Sequence, residues 1–128
     1  MRYLSVEWLE EAARVFEASD PLPRDVEMVL QQSVLNTPEG DIDYAIVLSG
    51  QSLKLEVGRS NKPTISFTQE WTTAIAIASG ELSAQAAFME GKVKLGGDTS
   101  VLVANHDLLA DVEDLLSDLR SRTDFPDA

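Results

Sequence analysis

The one histidine of the chain, His106, stands between Asn105 and Asp107 at the start of an acidic, leucine-patterned segment. Serine-type hydrolysis needs a hydroxyl nucleophile, a base to take its proton and an acid to orient that base. No serine sits in a Gly-x-Ser-x-Gly setting, and a lone imidazole at a helix start reads as a surface or capping residue. Cysteine is absent, which removes thiolate nucleophiles, disulfides and cysteine-ligated metals. Asp107, Asp111, Asp114 and Asp118 carry oxygen ligands, yet their spacing strings them along one helix face instead of around a point. A solvated acidic face accounts for them. Gly91-Lys92 supplies the last Gly-Lys pair of a phosphate-cradling loop, but Ala86 occupies the position of its first glycine and Val93 that of its Ser/Thr. No catalytic residue, metal site or cofactor is expected, and the chain does not read as an enzyme.

The side chains left over for function are apolar. Trp71, Ile75 and Ile77 lie among Ala74, Ala76 and Ala78, a composition that allows close packing on a sheet and also leaves volume unfilled. Phe88 and Met89 follow, where an aromatic ring and a flexible thioether can adapt to a hydrocarbon. Core packing explains the same residues, so an apolar tunnel and a filled core stand as alternatives.

The elements that must position these side chains are legible in the periodicity. Ser5 is placed to cap a first helix, Leu4 and Leu9 have the spacing of a hydrophobic staple, and Leu9, Ala12, Ala13 and Phe16 form an apolar stripe. Asp20-Pro-Leu-Pro stops that helix. Val26–Leu35 is rich in strand formers, and Asn36-Thr-Pro-Glu-Gly40 is a turn. Ile42, Tyr44, Ile46 and Leu48 then share one strand face. Ser49–Ser52 reads as a hairpin connection into Leu53, Leu55 and Val57; a further turn leads to Ile65 and Phe67. These four strands are expected to run as consecutive, mostly antiparallel hairpins. Thr68 is the expected cap of a helix over Gln69–Ser79, Ser83 the cap of a second short helix, and Lys92–Leu95 the fifth strand. Leu108, Leu109, Val112, Leu115, Leu116 and Leu119 line one face of a closing helix.

At 128 residues a single domain is expected. The formal net charge of −12 repels phosphate backbones and anionic lipid surfaces, which argues against nucleic-acid partners and against stable membrane association. Glu7, Glu10 and Glu11 interrupt the apolar run that a secretory signal requires, and no stretch approaches the ~18 apolar residues of a membrane span. With no cysteine, a cytoplasmic location is the expectation.

One stretch has a recognisable pattern. Gly80, Glu81 and Leu82, followed by Ala87-Phe88-Met89, Gly91-Lys92-Val93-Lys94-Leu95 and Gly97-Asp98, resemble the most distinctive segment of the sterol carrier protein type 2 family. The order of elements over residues 24–120 is similar as well, and the helix beginning Leu4-Ser-Val-Glu-Trp8 is similar to that of small bacterial members. The resemblance implies an α+β fold: a five-stranded, twisted, mostly antiparallel sheet covered by helices and enclosing an apolar tunnel. It divides the chain into an N-terminal helix (1–20), a lipid-binding core (24–120) and a flexible tail (121–128). By the same resemblance the tunnel lining includes Trp71, Ile75, Phe88, Met89, Val93, Phe67 and Ile46, and the ligand is a hydrophobic small molecule such as a fatty acid, acyl lipid or sterol-like compound. The expected function is non-enzymatic binding, with transfer of that ligand. The alternative is an interaction or regulatory domain of the same fold with its core packed shut. A homodimer is compatible with either.

Overall fold

The computed structural model describes residues 1–125 of the chain. Helix α1, Val6–Ala18, starts where the Ser5 hydroxyl accepts the Trp8 backbone N–H at 3.1 Å, satisfying one of the amides that a helix start leaves free. Its buried residues are Trp8, Leu9, Ala12 and Phe16, the face set by the apolar spacing. Five strands follow: β1, Val26–Thr37; β2, Gly40–Gly50; β3, Ser52–Val57; β4, Ile65–Glu70; and β5, Val93–Gly97. Between β4 and β5 lie α2, Trp71–Ala78, and α3, Ala84–Met89; after β5 come α4, Ser100–Ala104, and α5, His106–Arg120.

The strands form one sheet in the order β3-β2-β1-β4-β5. Its β1–β2, β2–β3 and β4–β5 pairs are antiparallel, so the α+β class and the mostly antiparallel five-stranded sheet are as the resemblance implies. The remaining pair differs from the expected hairpins: β4 lies parallel to β1, with Leu30 opposite Ile65 and Gln32 opposite Phe67. The cause is the segment between β3 and β4, which crosses the sheet on the face opposite the helices. Gln31, buried on that face, fastens the segment. Its Nε2 donates to the Gly58 carbonyl at 3.1 Å, and its Oε1 accepts the Ser60 N–H at 2.7 Å. Thr64 then joins β1 through its N–H, which donates to the Val29 carbonyl.

Three other boundaries differ from the sequence reading. β4 extends through Thr68 and Gln69 to Glu70, because Thr68 pairs with Ser33 and Lys94 while Gln69 pairs with Val34 and Val93. Helix α2 therefore starts at Trp71, after Glu70, with no side-chain cap. The short helix α4 has no apolar stripe to announce it; Asp98 Oδ1 accepts the Ser100 N–H at 3.1 Å just before it. Residues 121–125, expected to begin a free tail, are tied to the first residues of the chain. Tyr3 N–H donates to the Asp124 carbonyl at 3.2 Å and Asp124 N–H to the Met1 carbonyl at 2.7 Å. The rest of that expected tail, residues 126–128, lies outside the described residues.

The core sits on the helix-bearing face. Met28, Leu30, Ile46, Leu48, Leu53 and Ile65 from the sheet meet Leu9, Ala12 and Phe16 of α1, Ala74 and Ile75 of α2, and Leu108, Val112 and Leu119 of α5. Arg24 fastens the start of α5 to the segment before β1, donating to both Asp107 carboxylate oxygens at 3.2 Å and to Asn105 Oδ1 at 3.0 Å. No helix among the described residues is long and apolar enough to cross a membrane.

Candidate ligand cavity

One row of side chains crosses the helix-bearing face of the sheet at Tyr44, Gln32, Phe67 and Leu95, each opposite the next on the neighbouring strand. In the row toward α1, Ile46 faces Leu30, and Leu30 faces Ile65; on the other side, Val34 faces Gln69 and Gln69 faces Val93. Alternation along each strand puts these rows on one surface. Helix α2 covers part of it with Ala74, Ile77 and Ala78, and the C-terminal half of α5 covers more with Leu116 and Leu119. Small side chains on α2 keep its backbone close to the sheet without filling the gap toward α5. The result is a cavity of about 420 Å³ between the two layers, with Tyr44, Gln32, Ile46 and Gln69 among its lining residues.

An aromatic cluster closes one side. Tyr3 stacks on Trp71 with ring centroids 5.5 Å apart, meets Trp8 edge-on at 5.1 Å and lies 5.3 Å from Phe125. A sharp turn at Leu4, whose φ is +59°, leads from Tyr3 into α1. Trp8 is anchored in turn, its indole N–H donating to Thr123 Oγ1 at 3.0 Å. Burial raises the Tyr3 phenol well above its ordinary pKa, with the nearby Tyr44 adding to the effect, and pushes Tyr44 up to about 12. Both phenols are therefore neutral O–H groups at physiological pH. The Oε1 of Gln69 is buried and has no hydrogen-bond partner.

The side chains expected to line a tunnel are distributed over several surroundings. Ile46 lines the cavity itself. Ile75 is buried in the core, and Phe67 and Trp71 pack against that core, Trp71 through its stack on Tyr3. Phe88 and Val93 line a different, open groove of about 730 Å³, together with Leu95, Leu102 and Val103. Phe88 and Met89 are 51% and 77% exposed, so most of both side chains faces outward. Of the cavity lining, Tyr3, Gln32 and Gln69 were not singled out by the sequence, and Tyr44, Leu116 and Leu119 were read as apolar-face residues without being assigned to a ligand site. Tyr44 had a signal, since it shares the inward phase of Ile42, Ile46 and Leu48. Gln69 had none, because a helix starting after Thr68 hides its strand phase.

Among the described residues that line the cavity there is no His or Cys side chain. His106 is exposed at the start of α5, with Nδ1 3.2 Å from the Val103 carbonyl oxygen. No group of three or more His, Cys, Asp or Glu side chains among the described residues is placed to hold a metal ion.

Comparison with known proteins places this geometry. The model of the SCP-2 sterol transfer family matches residues 9–110. No curated protein sequence matches the chain. Among solved structures, palmitated SCP2L2 from Aedes aegypti is 28% identical, with a TM-score of 0.61 over 88% of this chain and 95% of that one. The sterol carrier protein domain 2 of Helicoverpa armigera is 23% identical, with a TM-score of 0.62 over 88% and 87%. A hypothetical protein of Thermus thermophilus described as a possible sterol carrier protein is 15% identical, with a TM-score of 0.69 over 93% and 90%. At those identities the last two speak for the fold alone.

Proposed function

The chain belongs to the SCP-2 sterol transfer family, and from that premise we propose that it binds a hydrophobic ligand, a fatty acyl lipid or sterol-like molecule, between its sheet and α2 and α5, and carries it without chemical change. The observation that supports this reading is the cavity of about 420 Å³, which falls in the size range of small-molecule sites. The palmitated state of the Aedes aegypti relative supports an acyl chain as the first ligand to test. Affinity in such a site comes from withdrawing hydrocarbon from water, at about 0.8 kcal/mol per methylene before the costs of immobilisation. An extensive polar site is not required for that.

The test is displacement of a bound fluorescent fatty acid, paired with native mass spectrometry of the purified protein. Co-purifying lipid and saturable, competable probe binding are expected. Ala78→Trp should fill the cavity from α2 and weaken probe binding at least tenfold, while the chain still unfolds cooperatively. Absence of both lipid and probe binding favours a packed interaction domain and overturns the proposal.

A further inference from the structure

Arg14, Arg24, Arg59 and Arg122 each lie in a salt bridge with an acidic side chain. Arg120, the last residue of α5, lies in none among the described residues, although the chain carries a net charge of −12. It stands instead on the rim of the cavity between the sheet, α2 and α5. Resting on the reading that this cavity holds an apolar ligand, we propose that Arg120 anchors an anionic head group. The site then takes fatty carboxylates, with the head at the rim beside Arg120 and Gly80 and the hydrocarbon inward.

The guanidinium is held in one orientation by the protein itself. Its Nε donates to the carbonyl of Ala78, the last residue of α2, at 2.8 Å. That bond satisfies a carbonyl which the helix end leaves open, and it uses one of five N–H donors. Gly80 makes room for the rest: a Cβ there would stand 3.2 Å from Nη1 and 3.6 Å from Cζ. Ala78, Gly80 and Arg120 all line the cavity, so the group is fixed against its opening. Nη1 and Nη2 have no hydrogen-bond partner among the described residues, and their N–H groups form a planar fork that matches the two oxygens of a carboxylate. Fixing the fork in advance removes part of the ordering cost of binding. The other charged residue in the lining, Glu113, is two turns earlier on α5, about 10 Å along the axis, and is not paired with Arg120. No further cation lines the cavity among the described residues, and a carboxylate taken inward would lose water without gaining a counter-charge. Its place is therefore at the rim.

The experiment sets dodecanoate and dodecan-1-ol, equal in chain length, as competitors of a fluorescent fatty acid at neutral pH. The readout is the ratio of their inhibition constants, in which the probe's own response to a substitution cancels. Arg120→Met keeps an apolar stem and removes the charge. It should shift the ratio toward the alcohol by about 5-fold, the upper range for an ion pair that water still reaches. Lys62→Met removes one positive charge at an exposed position on the segment that crosses the other face of the sheet. Solvent screens so remote a charge, and the ratio should stay within about twofold of the wild type. Arg120→Gln, which is neutral and still offers a donor to the Ala78 carbonyl, decides the matter if Arg120→Met does not fold. A ratio that stays within that margin in the Arg120 variant, including an equal loss for both ligands, overturns this proposal and leaves the lipid-binding reading standing. So does an equal shift in Lys62→Met, which would trace the preference to the net charge. A wild-type protein that binds neither probe nor competitor overturns both.

Discussion

Burial between the sheet and the helices pushes the Tyr44 phenol up to about 12, because desolvation penalises its phenolate. The unfolded chain releases this proton near pH 10. Between about pH 10 and 12 the folded chain still holds it, so unfolding is coupled to proton release and stability falls as pH rises through that window. Below pH 10 both states are protonated and this contribution to the pH dependence is absent. Denaturation in urea at pH 8, 10 and 11.5 should show a stability loss approaching ~1.4 kcal/mol per pH unit from this group above pH 10. Tyr44→Phe should lose less stability over that range, with Tyr3 continuing to contribute in the same direction. An identical decline in the variant would show that burial does not hold the proton on this phenol. At this scale the sequence was partly legible: alternation predicted the inward face of Tyr44 and Ile46. The same logic failed at Gln69, where the polar side chain and the preceding Thr68 imitated a helix start while backbone pairing kept both in β4.

Whole elements were easier to read than their junctions. The stripe of α1 and the leucine face of α5 survive intact, since a helix that must bury one side repeats that requirement every turn. A connection carries no such repetition, and the parallel pairing of β4 with β1 depends on Gln31 reaching Gly58 and Ser60 across the sheet. Register at the far edge depends on another local contact. Gly97 ends β5 at a φ of +82°, and a Cβ there would stand 2.5 Å from the Thr64 carbonyl oxygen, whose partner is the Asp98 N–H at 2.9 Å. Gly58 has a φ of +103° but open space around its missing Cβ. Both glycines relieve backbone strain, and Gly97 relieves a clash with the sheet as well. Gly97→Ala is therefore expected to cost about 3 kcal/mol and Gly58→Ala about 1 kcal/mol, measured as the difference in urea midpoint at constant slope. Equal costs would mean that the β4–β5 edge shifts to absorb the methyl and does not fix the register.

The molecule as a whole has a distribution of charge that bears on how a ligand would enter or leave. Its net charge is −12, yet the groove beside α3 and α4 exposes Phe88 and Val103 next to Lys94, with Lys92 and Met89 close by in the chain. No salt bridge among the described residues includes Lys92 or Lys94. At low ionic strength the repulsion of the whole chain acts over tens of ångströms, farther than two lysines can offset it, and it should keep the protein from an anionic bilayer. Salt shortens that range to about 10 Å at 0.1 M, whereas apolar contacts by Phe88, Met89 and Val103 do not depend on charge. Sedimentation with vesicles should therefore show less binding to phosphatidylglycerol than to phosphatidylcholine at low salt. The difference should shrink as salt is added, because screening removes the repulsion and leaves the apolar term. Tight binding to anionic vesicles at low salt, released by added salt, would give the opposite order. In that case the two lysines would act as a local basic surface strong enough to override the charge of the rest of the molecule.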